Sequence, residues 1–208
     1  MVRSLAGDLL AAVDAARGRF LLGIAGPPGA GKSTLAGGLA GAVGEQRGDG
    51  VAVVAPLDGF HLSNETLDRL GLRSVKGAPQ TFDAASFVAA LRRVQEEPAA
   101  TVLWPDFDRV AEATVPDAIP IGPEARLVIT EGNYLLLDQP GWREVRHLLD
   151  AVWYVDAPRD VLRRRLIERQ IAGGRPEQDA VRHVDESDLP NAELVARSRR
   201  LADRVIRP

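Results

Sequence analysis

Apolar residues fall into short continuous runs that alternate with longer segments in which they recur every three or four positions. The runs are RFLLGIA (19–25), VAVVAPLD (51–58), RLVITEG (126–132), AVWYVDA (151–157) and a shorter DRVIRP (203–208). Runs of this length predict buried strands. Strands that alternate with helices are typical of a parallel sheet covered on both faces. We therefore predict an α/β fold in which a parallel β-sheet of about five strands is sandwiched by helices.

The segments with helical spacing predict five helices. They cover residues 6–16, 32–43, 83–97, 158–174 and 191–202. Asp83 has the position and chemistry of an N-cap for the third of these helices. Because no internal repeat and no linker interrupts the pattern, the 208 residues are expected to form a single domain.

Three stretches do not fit the alternation of strands and helices. Residues 59–82 mix apolar positions with Asn, Gly and Pro, which predicts an inserted cap. Residues 101–110 and 117–125 flank a polar excursion, and residues 44–50 are expected to form a surface loop.

Composition and charge narrow the classes of partner. The formal net charge of -3 provides no general attraction to nucleic acid or to anionic membranes. The absence of cysteine excludes disulfides, thiolate catalysis and cysteine-ligated metal sites. No run approaches the ~20 apolar residues of a membrane span, and Asp8 and Asp14 interrupt the N-terminal apolar run, which is unlike a signal peptide. We expect a cytoplasmic protein with no nucleic-acid or membrane partner; a homodimer remains an open alternative.

A glycine-rich loop follows the first predicted strand directly. The stretch GPPGAGKST matches G-x-x-x-x-G-K-[ST] and opens the second predicted helix. Glycines let backbone N–H groups approach phosphate, Lys32 would reach the β- and γ-phosphates, and Ser33 would hold Mg²⁺. This pattern predicts a P-loop NTPase fold that binds ATP and Mg²⁺. The predicted nucleotide-binding residues are Gly26, Pro27, Pro28, Gly29, Ala30, Gly31, Lys32, Ser33 and Thr34.

Acidic residues follow three of the predicted strands. Asp58 closes the second strand, where a carboxylate could orient an acceptor hydroxyl and take its proton. Glu131 follows the apolar run of the third and is a candidate for the metal or for substrate hydroxyls. Asp156 is interpreted as a helix N-cap, and His61 either binds substrate, tunes Asp58 or has a structural role. The carboxyl ends of parallel strands lie on one edge, so these residues are expected to be neighbours.

An arginine-rich segment covers about residues 158–178. It contains Arg159, Arg163, Arg164, Arg165, Arg169 and Arg175. One interpretation is a solvated helix face. The other is a lid that brings guanidinium groups onto a transferring phosphoryl group and excludes water. We predict a lid, with Arg164 and Arg169 as the catalytic arginines and GGRPEQDA (173–180) as a hinge or loop.

Several motifs in this order give the chain a family resemblance. GPPGAGKST, PLDGFH, KGAPQTFD, DFDR and EGNYLLL, followed by the arginine helix, resemble the P-loop kinases that include uridine kinase, phosphoribulokinase and type I pantothenate kinase. The resemblance covers about residues 20–208 and implies that Asp58 is the catalytic base. It further implies that Phe107 and Asp108 lie on the acceptor side, although uridine kinases commonly have a tyrosine at the position of Phe107. Other residues that would line the acceptor pocket are Lys76, Phe82, Asp83 and Arg109.

These features together predict an ATP-dependent phosphotransferase. It would move the γ-phosphoryl group to a hydroxyl of a small metabolite such as a sugar, a nucleoside or a pantothenate-like molecule. One alternative is a nucleotide-dependent switch or chaperone without an acceptor. The N-K-x-D stretch of common guanine-specific proteins is absent, which favours ATP. The other alternative, a polynucleotide kinase, is disfavoured by the acidic balance of charge.

Overall fold

The chain is organised around a five-stranded parallel sheet, which the computed structural model describes together with the rest of residues 1–207. The strands of the whole chain are β1 (Phe20–Ala25), β2 (Ala52–Pro56), β3 (Val102–Asp108), β4 (Ala113–Ile121), β5 (Leu127–Gly132), β6 (Ala151–Val155) and β7 (Arg204–Ile206). The parallel sheet has the order β2-β5-β1-β6-β7, and β3 and β4 form a separate antiparallel pair. The α/β class and the five predicted strands of the parallel sheet are therefore confirmed.

Helices cover both faces of this sheet. They are α1 (Val2–Ala15), α2 (Lys32–Arg47), α3 (Asn64–Leu70), α4 (Ala84–Glu96), α5 (Arg143–His147), α6 (Arg159–Ala172), α7 (Glu177–His183) and α8 (Leu189–Ala196). Asp83 caps α4 as predicted, because its Oδ1 accepts a hydrogen bond of 2.9 Å from the Ser86 N–H. Within residues 1–207, no helix combines the length and the apolar content needed to cross a lipid bilayer.

Two segments predicted as loops are partly helical, and the last predicted helix ends early. The expected surface loop at 44–50 is largely helix, since α2 continues to Arg47. Several glycines lower the helix propensity of that segment, but burial of Leu39 and Val43 against the sheet overrides it. The expected hinge at 173–180 contains the start of α7, which a π-helical turn at 184–188 connects to α8. The last helix ends at Ala196, and a separate 3-10 turn covers Arg199–Leu201.

Alternating side chains of the central strand supply two apolar cores, one on each face. Leu21 of β1 points into a core with α4, α5 and the β3–β4 pair. Leu22 and Ile24 point into the opposite core, which contains apolar residues of α1, α2, α6 and α8. Burial on both faces explains why the strands of the sheet are continuous apolar runs rather than alternating ones. The sheet is thus a rigid platform whose carboxyl edge remains open for chemistry.

The cap is larger than the predicted insertion at 59–82. It also contains the hairpin of β3 and β4, whose register pairs Val102 with Ile121 and Asp108 with Ala113. The Trp104 indole N–H donates to the Pro56 carbonyl oxygen at 2.9 Å and fixes the hairpin to the end of β2. The polar excursion of the sequence, residues 111–116, is therefore part of the hairpin connection together with the start of β4.

Gly59, in the turn after β2, packs against β3 of the hairpin with no room for a side chain. A Cβ atom at this position would collide with the carbonyl group of Pro105 on β3, which is backbone and cannot rotate away. We expect Gly59→Ala to lower the free energy of unfolding by about 1–3 kcal/mol, because the hairpin must shift. Urea denaturation measures this free energy.

Gly37→Ala is the matched control. Its new methyl would enter open space at an exposed helix position and should raise the free energy of unfolding by about 0.5–1 kcal/mol. Equal effects of the two substitutions would contradict this description of the contact.

Candidate active site

A cleft of about 1040 Å³ opens at the carboxyl edge of the parallel sheet. The glycine-rich loop after β1, the turn after β2 and the end of β5 form its floor, and the cap and α6 form its sides. Lys32, Ser33, Asp58 and Glu131 all line it. The structure therefore brings together the four residues on which the predicted chemistry depends, as expected for ligands at the carboxyl ends of parallel strands.

The glycine-rich loop has the backbone geometry of an anion cradle. Gly31 precedes α2 in a left-handed conformation (φ 98°), and no side chain caps the N–H groups of the first turn. These N–H groups and the helix dipole are consequently available to phosphate oxygens. Gly26 has φ 148°, and a Cβ atom there would lie 2.5 Å from the Val155 carbonyl oxygen. The loop from Gly26 to Thr34 therefore fits a nucleotide's phosphates through its backbone.

Lys32 is the buried cation of this cradle. Its Nζ donates to the Pro27 carbonyl oxygen at 3.0 Å and to the Asn133 Oδ1 at 2.7 Å. Burial lowers the pKa of the Lys32 ammonium, while the nearby carboxylates of Glu131 and Asp58 oppose that shift. A cation held this way is preorganised for the charge of a phosphate group, because little reorganisation is needed when the ligand arrives.

Ser33 and Glu131 form the candidate metal position. The Ser33 hydroxyl donates to the Glu131 Oε1 at 2.6 Å, and burial raises the pKa of the Glu131 carboxyl. Hydroxyl and carboxylate oxygens are the donors that Mg²⁺ prefers. Within residues 1–207 no cluster of three or more His, Asp or Glu side chains could hold a metal by itself. The pair therefore fits a Mg²⁺ ion that takes its other ligands from the nucleotide's phosphates and water.

Asp58 faces the cleft from the turn after β2. The strand ends at Pro56, so Asp58 does not close it as predicted but lies in the 3-10 turn Leu57–Phe60. Arg109, at the tip of the hairpin, donates to the Asp58 Oδ2 at 2.6 Å, and the Asp58 side chain keeps 30 % of its surface exposed. The carboxylate is thus oriented by one partner while still accessible to a ligand in the cleft.

Aromatic side chains of the cap line the cleft beside Asp58. The His61 ring lies 4.0 Å from the Phe82 ring and 4.8 Å from the Phe107 ring, measured between centroids. The His61 Nδ1–H donates to the Asp58 carbonyl oxygen at 2.8 Å, and burial lowers the pKa of His61, so the ring is kept neutral with its Nε2 as an acceptor. The Lys76 ammonium lies 5.1 Å from the centre of the Phe107 ring. The cap thus offers flat apolar surface with a cation at its margin.

Known proteins resemble this chain over nearly its whole length. The chain is 36% identical over 194 residues to the "Putative uridine kinase C227.14" of Schizosaccharomyces pombe, covering 90% of this chain and 83% of that protein. It is 40% identical over 189 residues to protein YggC of Escherichia coli, covering 90% and 77% respectively. The chain belongs to the P-loop kinases related to uridine kinase. No protein-family model matches it.

A solved structure extends the similarity to three dimensions. The crystal structure of a "putative fructose transport system kinase" from Silicibacter sp. TM1040 superposes with a TM-score of 0.90 at 37% sequence identity. The match covers 99% of this chain and 98% of that one. The two chains therefore share one fold over nearly their whole length, and the activity class of this chain is that of an ATP-dependent kinase.

Four residues that were predicted for the site lie away from the cleft, and one of them is Asp83, which caps α4 instead. Arg164 is exposed and does not line the cleft, whereas Arg169 does. Asp108 is also outside it, and its carboxylate accepts hydrogen bonds from the N–H groups of Val110 and Ala111 in the hairpin connection. Asp156 is not an N-cap: α6 begins after Pro158, and Asp156 forms an ion pair of 3.1 Å with Arg199.

Other residues of the kinase cleft were missed by the sequence interpretation. Arg165 lies four positions before Arg169, on the same face of α6, and donates to the Gly29 carbonyl oxygen at 3.3 Å. That i,i+4 spacing, combined with the buried Leu162 and Leu166, was the signal that could have identified it. Asn133 was overlooked although it follows Glu131 closely. His183, Asp188 and Asn191 also line the cleft, but no local pattern marked them.

Proposed function

We propose that this P-loop kinase transfers the γ-phosphoryl group of ATP to a hydroxyl group of a small metabolite. The observation that carries the proposal is the position of the Asp58 carboxylate. It faces the same cleft as the phosphate-binding lysine and the aromatic cap, and Arg109 orients it through a contact of 2.6 Å. A protein that only binds or hydrolyses nucleotide has no need of an oriented carboxylate beside a second, aromatic subsite.

Different residues of the chain have different roles in such a transfer. Asp58 orients the acceptor hydroxyl and takes its proton as the bond to phosphorus forms. Lys32 and the N–H groups at the start of α2 stabilise charge on the phosphate oxygens. Arg165 and Arg169, on the cleft face of α6, add guanidinium groups from the opposite side. When bound by Ser33 and Glu131, Mg²⁺ would neutralise further phosphate charge.

The boundaries of the cleft favour a small acceptor over a polymer. It is bounded on one side by the cap and on the other by α6 and the segment that follows. The three-ring surface of His61, Phe82 and Phe107 suits a flat or ring-shaped acceptor. The Nε2 of the neutral His61 ring adds a hydrogen-bond acceptor for a hydroxyl or N–H group of the ligand. Sugars and nucleosides have both properties, while pantothenate-like molecules are open chains that supply only the hydroxyl and N–H groups; these are the acceptor classes that we propose.

An acceptor panel tests the proposal. With Mg·ATP, we expect at least one sugar, nucleoside or pantothenate-like compound to raise ADP release at least about tenfold above the acceptor-free rate, because water is a poorly positioned substitute. A coupled assay measures ADP, and mass spectrometry identifies the phosphate monoester. The control is the same compound lacking the phosphorylated hydroxyl, which should leave the rate at its background. A rate that no acceptor changes would favour a nucleotide-dependent switch or chaperone instead.

A further inference from the structure

Two consecutive residues after β5 contact opposite sides of the cleft. Asn133 reaches the phosphate-binding lysine, and Tyr134 reaches the loop of the cap that carries Lys76. We propose that Asn133 and Tyr134 are positioning residues that hold the acceptor cap in a fixed relation to Lys32, so that nucleotide binding orders the cap. The inference rests on the proposed function only in that the cap receives the acceptor.

The nucleotide side of this connection is the Lys32 ammonium. An ammonium has three N–H donors, and the Pro27 carbonyl and the Asn133 amide oxygen accept from it at 3.0 and 2.7 Å. One donor therefore remains for a phosphate oxygen. A phosphate bound there would immobilise the ammonium without displacing Asn133, so the amide would become more tightly held when the nucleotide is present.

The cap side of the connection is the Tyr134 hydroxyl. Tyr134 is fully buried, and its O–H donates to the Gly77 carbonyl oxygen at 2.5 Å. Burial raises the pKa of Tyr134, so the hydroxyl keeps its proton and remains a donor; the adjacent Asn133 amide opposes that shift only in part. The ring packs against Phe82 of the cap, with 5.7 Å between centroids. The tyrosine thus holds the cap through both a hydrogen bond and an aromatic contact.

The cap loop is held together by hydrogen bonds between its own polar groups. The Gly77 N–H donates to the Thr81 Oγ1 at 3.0 Å, and the Thr81 hydroxyl donates to the Ala78 carbonyl oxygen at 2.7 Å. Lys76 and Phe82, which line the cleft, lie at the two ends of this unit. Fixing the Gly77 carbonyl therefore fixes two side chains of the acceptor subsite.

The route between the two contacts is short and stiff. β5 is paired on both sides, with β1 and β2, and all of its residues are buried. Asn133 and Tyr134 directly follow its last residue, so both side chains extend from backbone that the sheet holds in place. Order imposed on Lys32 by a ligand can thus reduce motion in the cap, which lowers the entropic cost of binding a second ligand there.

Hydrogen exchange tests the connection without any acceptor. The probe is Mg²⁺ with AMP-PNP, a non-hydrolysable ATP analogue, and the readout is amide exchange by mass spectrometry in peptides covering residues 71–82. In the wild-type protein, we expect the nucleotide to slow exchange there by about threefold to tenfold. In Tyr134→Phe, which removes only the hydroxyl, that protection should disappear while the analogue's Kd stays within about twofold, since Lys32 keeps its partners.

The other tyrosine of the chain is the matched control. Tyr154 is as deeply buried but lies on β6 and does not line the cleft, so Tyr154→Phe should keep the nucleotide-dependent protection. A second variant, Asn133→Ala, breaks the connection at the lysine and should also abolish the protection. Protection that persists in both Tyr134→Phe and Asn133→Ala, or that is absent from the wild-type protein, would overturn the inference. Because no acceptor is used, a failed acceptor panel with intact protection would remove only the proposed phosphoryl transfer.

Discussion

Asp58→Asn is expected to reduce kcat for phosphoryl transfer by about 10²–10⁴-fold. The amide has the shape of the carboxylate and still accepts from Arg109, but it cannot take the proton of the attacking hydroxyl. Nucleotide binding should be nearly unchanged, because Asp58 belongs neither to the Gly26–Thr34 loop nor to α6, the two segments that we propose contact the phosphates. Steady-state ADP release with the acceptor identified by the panel gives kcat, and calorimetry with Mg·AMP-PNP gives the nucleotide Kd.

A matched aspartate separates this effect from loss of an ion pair. Asp14 forms an ion pair with Arg47 at 2.6 Å, the same length as the Asp58–Arg109 contact, but it lies on α1 outside the cleft. We expect Asp14→Asn to leave kcat unchanged, since exposed pairs contribute only about 0–1 kcal/mol to stability. If Asp58→Asn kept kcat within about tenfold of the wild-type value, Asp58 would not be the base and the proposed mechanism would be wrong.

Arg19→Met is expected to lower the free energy of unfolding by about 3 kcal/mol, because several buried carbonyl groups lose their donor. The Arg19 side chain is buried between the end of α4 and the end of β4, and it joins these segments. For a chain of this size the midpoint of thermal unfolding should fall by about 6–12 °C. The carbonyl groups to which its guanidinium donates, at 2.7–3.4 Å, belong to Val94, Glu97, Ala100, Ile121, Gly122 and Ala125.

Two further substitutions distinguish hydrogen bonding from packing and charge at this position. Arg19→Lys keeps the positive charge but loses the planar fork, so an intermediate loss of stability is expected. Arg17→Met removes an exposed arginine two positions away and should change the free energy of unfolding by less than about 0.5 kcal/mol. If Arg19→Met were as neutral as Arg17→Met, the carbonyl groups would be satisfied in another way, and Arg19 would not join α4 to β4.

The parallel sheet was predictable because its signal is local. Each of its strands is a short apolar run, and burial on both faces makes such runs continuous. The phosphate loop was equally predictable, since Gly26, Gly31 and Lys32 lie within a few consecutive residues. The antiparallel hairpin was not recognised as such, because exposed residues in β4 and the prolines of both strands obscure its pattern. α7 was missed because the glycines that precede it indicated a loop.

The composition of the arginine helix predicted a lid, but only the direction of each side chain shows which arginines face the cleft. Six arginines made the segment a candidate lid, but Arg164 and Arg165 differ by one helical position and point in different directions. The buried Leu162 and Leu166 orient α6, which leaves Arg165 and Arg169 on the cleft face and Arg164 in solvent. Whether Arg164 or Arg165 faces the cleft depends on which face of α6 packs against the core, and that packing is a property of the whole fold.

The sequence by itself determined the phosphate-binding half of this kinase, because nine consecutive residues contain the turn, the helix start and the lysine that it requires. Only the tertiary structure decided the part of the cleft that we propose receives the acceptor, which is assembled from distant segments. Arg109 meets Asp58 across 51 positions, and Tyr134 meets Gly77 across 57. A local pattern cannot encode such contacts, since they form only when the packed sheet brings the carboxyl ends of its strands to one edge.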